Sequence, residues 1–458
     1  MNNYALYNVK HVNSFKKFLT IIEQYDDDIA FKNKNNEWSY LDFCNDIKVV
    51  ASNLMKYKQR LIVVNLKDTR LFAIVYFAIV LSGNIAVLVD EIDLKEIGID
   101  NYMIMEKEMV TNLLKGGIKE LPDTDIDSLC TIVCSSGTTS FKKGVMLSQK
   151  NLLSDMVGGM ELYEYSKGAI YVNFLPYTHL FGIIADLMGP LYSGGTICIA
   201  ENKLCFFEEL QYYKPTNLNL PPALVQVMYT MLLRTNNFNK ATGGKLRKVM
   251  CAGARMNDKV NNEFSKYGLR IYAAYGLTEC SPCVTMNRDY YYKPGSVGLP
   301  LPCCNVEIID DEIVVSGDNV MLGYYKNKQT TEKVRIEGKL YTGDLGFFDE
   351  DGFVFLTGRK SNIIVFEDGI KIVPEIIEEK INDLNGVKES LVEPICVNEK
   401  TKLQIIITKD DKYHSEEISE EIYDLLKRME LQSMVHNIIV QKEELEKNAL
   451  GKILRKKN

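Results

Sequence analysis

Several large classes are excluded by what this chain lacks. Its 54 Lys and Arg are outnumbered by 61 Asp and Glu, a net charge of −7, so it carries no basic footprint for nucleic acid. No GxxxxGK[ST] occurs, which removes the Walker phosphate loop. No internal repeat and no low-complexity linker is found along the 458 residues. The N-terminus shows no signal peptide, and the eleven cysteines are scattered and odd in number. That is the usage of reduced cytosolic thiols, not of a disulfide framework, so a cytoplasmic protein is expected. Cys280-x-x-Cys283 is followed by the adjacent pair Cys303 and Cys304, which lacks the two-residue spacer of a tetrahedral thiolate site. No zinc centre is expected there. Residues 71–89 hold no charge and are long enough to raise a transmembrane segment, but Ser82-Gly83-Asn84 breaks the run. A buried helix to about Leu81, a turn and a buried strand over 85–89 is the expected arrangement, with no transmembrane segment.

What is present centres on residues 131–147, TIVCSSGTTSFKKGVML. A short apolar run reads as a buried strand. It leads into Ser135, Ser136, Gly137, Thr138 and Thr139, then Lys142, Lys143, Gly144 and a second apolar run. Small side chains let backbone N–H groups approach an anion, hydroxyls add donors and a lysine supplies the compensating charge. A polyphosphate is the ligand this composition suits. A polar hairpin turn with solvated lysines is the other reading of the stretch taken alone.

The length argues for more than one domain, and 46% hydrophobic with 25% charged residues is an ordinary globular composition. Residues 1–60 read mainly as helices and loops, with Trp38-Ser39-Tyr40 passing from a strand into a helix capped by Ser39. Strands are expected over 61–65, 169–175, 196–200 and 248–252, and helices over 222–234 and 257–267. Short strands alternating with helices of about ten residues mean an α/β architecture with largely parallel sheets. Around 307–320 the texture changes to closely spaced strands, a small β layer. The last hundred residues read as a separate unit, with a helix from Pro374 to about Asn382, a strand over 403–408 and a helix over 415–429.

Six stretches then line up in order. SSGTTSFKKG is followed by AAYGLTE at 273–279, KPGSVGLPLP at 293–302 and YTGDLG at 341–346. GRKSNIIVFEDGIKIVPEIIEEKI at 358–381 and NALGKILRK near the end complete the series. On these motifs the chain resembles the adenylate-forming superfamily of acyl-CoA synthetases, carrier-protein adenylation domains and luciferases, from about residue 30 onward. The resemblance implies an N-terminal AMP-binding domain over 1–358, built of stacked, mostly parallel sheets with helices and a small β layer. It also implies a small mobile α+β domain over 359–458. ATP, Mg²⁺ and a thiol acceptor, CoA or a carrier-protein phosphopantetheine, are the implied cofactors.

Residue by residue, the resemblance assigns Ser135–Thr139 and Lys143 to the phosphates, and Gly253, Ala254 and Arg255 to the adenine. Tyr275 and Gly276 border the nucleotide, Thr278 contacts the α-phosphate and Glu279 holds Mg²⁺. Asp344 accepts from the ribose hydroxyls with Arg359 assisting, and Lys452 serves the carboxylate and α-phosphate. Such an assignment is chemically coherent, since joining a carboxylate to ATP sets two anions together and needs positioned positive charge. LPYTHLFG at 175–182 resembles the PxxHxFG segment of fatty and aryl acid ligases, which gives His179 a role at the acid and speaks against an amino-acid substrate. Phe181, Leu220, Val225 and Met228 suit either an alkyl chain or a core.

Three residues depart from the family pattern: Ser140 for the loop glycine, Lys142 for the loop proline, and Ser361 at the interdomain pivot. The first subdomain is also shorter than usual. The leading expectation is a ligase that converts a medium- or long-chain fatty acid to acyl-AMP and passes it to CoA. Loading of a carrier protein, or a nucleotide-binding relative without turnover, are the alternatives.

Overall fold

The computed structural model describes residues 6–89, 91–134, 142–202, 204–252, 258–447 and 453–455. By its internal contacts the chain divides into two compact units. The first takes residues 1–307, 314–341 and 350–354, and the second residues 308–313, 342–349 and 355–458. The fold is α/β.

In the first unit the largest sheet runs Gly323–Tyr324, Gly144–Ser148, Leu129–Cys134, Ile85–Leu88, Leu61–Val64, Met103–Met105. The last four strands are parallel and the first two are added antiparallel. Ile85–Leu88 buries all its residues, as a central parallel strand covered on both faces requires. The crossover helix Thr69–Leu81 starts where the Asp68 side chain accepts the Leu71 N–H, and its buried residues run unbroken from Phe72 to Leu81. At 1.5 Å per residue it reaches only about 20 Å, against roughly 30 Å of bilayer hydrocarbon. Among the described residues no helix is long and apolar enough to cross a membrane.

A second sheet carries Asn217–Leu220, Lys248–Ala252 and Arg270–Tyr275 in parallel, then Thr285–Met286 and Leu299–Pro300 antiparallel. The helix Pro222–Thr235 packs Val225, Met228 and Leu232 into the cluster formed with Leu218, Leu220, Val249 and Ile271. A third sheet orders Glu37–Ser39, Ile29–Lys32, Thr196–Ile199 and Ile170–Asn173. Here the structure corrects the helical reading of residues 1–60. Ile29–Lys32 is a strand between a local antiparallel partner, Glu37–Ser39, and a parallel partner far away in the chain, Thr196–Ile199, and four residues carry no period to announce it. Ser39 does cap a helix, Tyr40–Leu54, in a reciprocal box with Asp42, and that capping is legible from the residues themselves.

The second unit contains a three-stranded sheet of Val387–Val397, Lys400–Lys409 and Val435–Gln441. Leu403, Ile405 and Ile407 alternate toward its core, where they meet Ile418, Ile422 and Leu426 of the helix Ser415–Arg428 and Ile377 and Ile381 of the helix Pro374–Asn382. Spacings of two on the strand and four on the helix are the two periods that bury one face of each. The closely spaced strands expected near 307–320 are Cys304–Ile309 and Glu312–Gly317.

Candidate active site

In the first unit, two strands of the largest sheet flank the phosphate-loop stretch: Cys134 and Gly144 are paired in register. Ser135, Ser136, Gly137, Thr138, Thr139 and Ser140 themselves lie outside the described residues. The two lysines that follow separate. Lys142 Nζ is 2.6 Å from Oδ1 of the buried Asp93, so it is tied to the scaffold. Lys143 Nζ stands 4.9 Å over the ring of Tyr324, an energetically favourable seat for a cation.

The Tyr-Gly-Leu-Thr-Glu motif leaves the end of the strand Arg270–Tyr275, with Tyr275 buried. Gly276 is required by sterics, because a Cβ there would stand 1.9 Å from the Pro282 carbonyl oxygen and 2.8 Å from Cys283 Cα. That close approach turns the chain into the short 3-10 segment Thr278–Cys280, with both Thr278 and Glu279 half-buried. Three hydrogen bonds hold the turn. Met321 N–H donates to the Glu279 carbonyl at 2.9 Å, Ser281 Oγ to the Asn319 carbonyl at 2.8 Å, and Cys283 N–H to Asp155 Oδ1 at 3.0 Å. Burial pushes the Asp155 carboxyl well above the ordinary carboxylate range.

The Glu279 side chain points at Tyr324, whose hydroxyl donates to Oε1 at 2.8 Å. Burial, with the Glu279 charge beside it, raises the Tyr324 pKa and keeps that proton in place. Oε2 of Glu279 has no hydrogen-bond partner among the described residues. Lys143 and Glu279 are therefore brought together through one ring, and sequence reasoning missed that ring. Only the Gly-Tyr-Tyr triplet at 323–325 marks it, 45 residues from Glu279.

His179 is half-buried at the start of the short helix Leu180–Ile183. Its N–H donates to the Pro176 carbonyl at 3.1 Å and its carbonyl accepts the Ile183 N–H at 3.1 Å. A Cβ at Gly182 would come within 2.5 Å of that Pro176 oxygen, which explains the glycine in the motif. The helix continues through a π turn, Ile184–Met188, pinned by the fully buried Asp186. Its carboxylate accepts from Asn173 Nδ2 at 2.7 Å and Asn219 Nδ2 at 3.3 Å. Leu220, Val225 and Met228 are fully enclosed in the core cluster of the second sheet, so core packing accounts for them. Phe181 instead packs, partly buried, against Leu162, Tyr163, Ala185 and Ala274.

The strands Lys339–Phe348 and Val354–Arg359 pair, and they carry Asp344 and Arg359, both in the second unit. Arg359 Nε lies 2.6 Å from Asp344 Oδ1 and Nη2 lies 3.3 Å from Oδ2. The turn around Gly343, at φ +74, is fixed by Gly343 N–H donating to Glu312 Oε1 at 2.8 Å. Lys360 Nζ binds the other oxygen of Glu312 at 2.7 Å. Ser361 is exposed. Gly253, Ala254, Arg255 and Lys452 lie outside the described residues.

The cysteines Cys283, Cys303 and Cys304 all pack against the same hydrophobic cluster. The Cys303 thiol is pushed up by its hydrogen bond with Cys304 and then by burial, and that of Cys283 by burial, which leaves them protonated and inert. All eleven cysteines are free. Among the described residues no group of three or more His, Cys, Asp or Glu side chains is arranged to hold a metal ion. A Mg²⁺ carried by phosphates needs no such group, since it binds through one or two carboxylates and keeps its waters. Glu279, half-buried with one oxygen directed by Tyr324 and the other without a partner among the described residues, fits that requirement.

The family model described as AMP-binding enzyme matches residues 91–325, just over half of the chain. The long-chain-fatty-acid–CoA ligase of Salmonella typhimurium is 26% identical over 355 residues, which cover 73% of this chain and 62% of that protein. That of Bacillus subtilis is 28% identical over 358 residues, with coverage of 73% and 62%. The chain thus matches less than two thirds of the length of these relatives. Among solved structures, ATP-bound MatB from Rhodopseudomonas palustris superposes with a TM-score of 0.84 at 21% identity, over 96% of this chain and 97% of that one. O-succinylbenzoate coenzyme A synthetase (MenE) from Bacillus subtilis, in complex with ATP and magnesium ion, gives 0.79 at 21% identity over 96% and 98%. These superpositions extend the fold over nearly the whole chain.

Proposed function

Because this chain belongs to the family of AMP-binding enzymes, we propose that it joins a carboxylic acid to a thiol in two ATP-dependent half-reactions. In the first, the acid's carboxylate attacks the α-phosphate and pyrophosphate leaves, giving an acyl-adenylate. In the second, a thiol attacks the acyl carbonyl and AMP leaves. The observation that carries this reading is the joining of Lys143 and Glu279 through Tyr324. A cation for phosphate oxygens and a carboxylate for a hard metal ion flank one position.

In this reading Lys143 and the hydroxyls of Ser135–Thr139 bind the terminal phosphates, Thr278 the α-phosphate, and Glu279 holds Mg²⁺. When bound, Mg²⁺ supplies charge neutralisation at the phosphate oxygens. Asp344 takes the ribose hydroxyls, with Arg359 holding its carboxylate in place. Gly253, Ala254 and Arg255 face the adenine, with Tyr275 and Gly276 beside the nucleotide. Lys452, in a mobile domain over 359–458, stabilises the charge that develops as the carboxylate meets the α-phosphate.

For the acid, the proposal is a medium- or long-chain fatty acid, with CoA as acceptor. The fatty-acid ligase relatives support it, as does His179 at the start of its glycine-closed helix. Exchange of radiolabelled pyrophosphate into ATP, run against a panel of acids, tests the first half-reaction. Fatty-acid-dependent exchange is expected, and no exchange with any acid sinks the enzyme reading. Adding CoA or a carrier protein with its phosphopantetheine arm then identifies the acceptor.

A further inference from the structure

Two opposite charges face the same tyrosine. Lys143 Nζ sits over the ring face at 4.9 Å, and Glu279 Oε1 accepts from the hydroxyl at 2.8 Å. No ion pair joins Lys143 to Glu279 among the described residues. The ring that separates them is itself held firmly. Tyr324 pairs with Val145 across the antiparallel ladder that follows the phosphate-loop stretch, its N–H donates to Thr331 Oγ1 at 2.9 Å, and it is 5% exposed. The Glu279 backbone is tied to the same segment, since its carbonyl accepts the Met321 N–H.

We propose that Tyr324 is a positioning residue that holds Glu279 and Lys143 apart and pre-aimed, one for the metal ion and the other for phosphate. This rests on the ATP-and-Mg²⁺ reading above. Left alone, an ammonium and a carboxylate this close in the fold would pair, and each would have to be pulled free before binding its own ligand. The phenol removes that competition. Its hydroxyl occupies one carboxylate oxygen and fixes the rotamer, which leaves Oε2 for the cation, while its face holds the lysine in place for phosphate.

Tyr324→Phe keeps the ring and removes only the hydroxyl; Tyr324→Leu removes both. ATP binding is measured by titration calorimetry across a range of Mg²⁺ concentrations and again in EDTA. For Tyr324→Phe the Mg²⁺ concentration giving half-maximal ATP affinity should rise on the order of tenfold, the scale of a lost hydrogen bond to a charged group. Its affinity in EDTA should stay within about twofold of wild type. Tyr324→Leu should in addition lose roughly threefold in EDTA, the scale of an exposed cation–π contact.

In a Glu279→Gln background, Tyr324→Phe should change the Mg²⁺ midpoint no further, because the carboxylate that the hydroxyl aims at the metal is already gone. Glu279→Asp, which keeps the charge but withdraws it from the hydroxyl, should reproduce the Mg²⁺ defect with no change at Tyr324. An unshifted midpoint in Tyr324→Phe, equal losses with and without Mg²⁺, or additive effects with Glu279→Gln would each overturn the proposal. A wild-type protein that binds no ATP would sink the proposed function itself, a result distinct from any of these.

Discussion

Arg359 grips both carboxylate oxygens of Asp344, through Nε to Oδ1 at 2.6 Å and Nη2 to Oδ2 at 3.3 Å. Asp344 is buried and Arg359 half-buried. A fork-to-fork pair of this kind fixes the plane of the carboxylate as well as its position. A carboxylate oxygen carries two lone pairs, so a carboxylate held by an arginine has the chemistry to accept hydrogen bonds from a diol as well. An aspartate that only capped a turn would need neither the arginine nor the fixed plane.

Asp344→Asn is therefore expected to lower the affinity for ATP by about 10- to 100-fold, the range for losing hydrogen bonds to a charged acceptor. The sharper readout is discrimination among nucleotides. Wild type should prefer ATP to 2′-deoxy-ATP and 3′-deoxy-ATP, and the variant should treat the three nearly alike. A variant that is weaker yet equally selective would remove the ribose role and leave the residue structural.

His179 gives a prediction about the acid. The backbone of this residue, not its ring, starts the helix Leu180–Ile183, and the neighbouring fold is held by Asp186, Asn173 and Asn219. His179→Ala should then leave the melting temperature within a few degrees of wild type while changing the ranking of acids in pyrophosphate exchange. Collapse of stability with an unchanged ranking would make the histidine a core residue. Asp186→Leu is the contrast. It removes the acceptor for two buried amides and should be strongly destabilising, since each stranded group costs about 1–3 kcal/mol.

How much of this was legible in the sequence differs by residue for physical reasons. The Ser39 cap is local, its partner Asp42 standing three positions on, whereas Gly276 and Gly182 were visible only through their motifs and not through the close contacts that require them. The helix Pro374–Asn382 and the strand Lys248–Ala252 fall at the positions their period and start signals indicate. Ile29–Lys32 was missed because four residues carry no period and only one of its two partners, Glu37–Ser39, is local, the other lying over 160 residues away. Tyr324 and Asp155 were missed because the groups they hold are far off in the chain. Nothing beside them in the chain distinguishes a tyrosine that holds a carboxylate from one that fills a core. Asp344 and Arg359 were visible through their motifs, but their bidentate contact was not.

Acid sensitivity has a definite source in Asp289. Burial alone would raise its carboxyl, but hydrogen bonds from Lys248, Tyr272 and Tyr7 outweigh burial and hold it below the ordinary carboxylate value of 3.8. Lys248 Nζ and the Tyr7 hydroxyl each reach Oδ2 at 2.8 Å. Because the folded pKa is depressed, this stabilisation is complete above the unfolded pKa, about 4, and is lost as pH falls through the folded value. Asp289→Asn should thus lower the melting temperature at pH 7. The gap from wild type should narrow as the pH is taken below about 4. A gap that stays constant from pH 7 to pH 3 would show that the charge of Asp289 contributes nothing.

Lys452 tests the mechanism most directly. The residue itself lies outside the described residues, as do Lys456 and Lys457, but the chain on either side of it is anchored. Lys447 and Ile453 form an antiparallel bridge, and Leu454 N–H donates to the Glu446 carbonyl at 2.8 Å. Lys447 Nζ pairs with Glu389 at 2.7 Å. Arg455 reaches the buried Glu378 at 2.5 Å and the Val392 carbonyl at 2.9 Å. Stabilising a developing charge demands a cation held at a defined place, the role proposed for Lys452. That charge builds up when the carboxylate attacks the α-phosphate, and not when a thiol attacks an adenylate already made. Removing one preorganised electrostatic contact typically costs about 10²–10³ in rate, and a lysine that serves two anions at once should cost at least that. Lys452→Ala is expected to nearly abolish acyl-adenylate formation from acid and ATP, yet to transfer the acyl group of a supplied acyl-adenylate to a thiol at close to the wild-type rate. Alanine at Lys456 or Lys457 should change neither step. Arg455→Met should fall between, because it loosens one fastening and leaves the cation intact. Equal loss of both half-reactions in Lys452→Ala would mean that the residue supports the fold and not the first chemical step. No loss in either would mean that the charge comes from elsewhere.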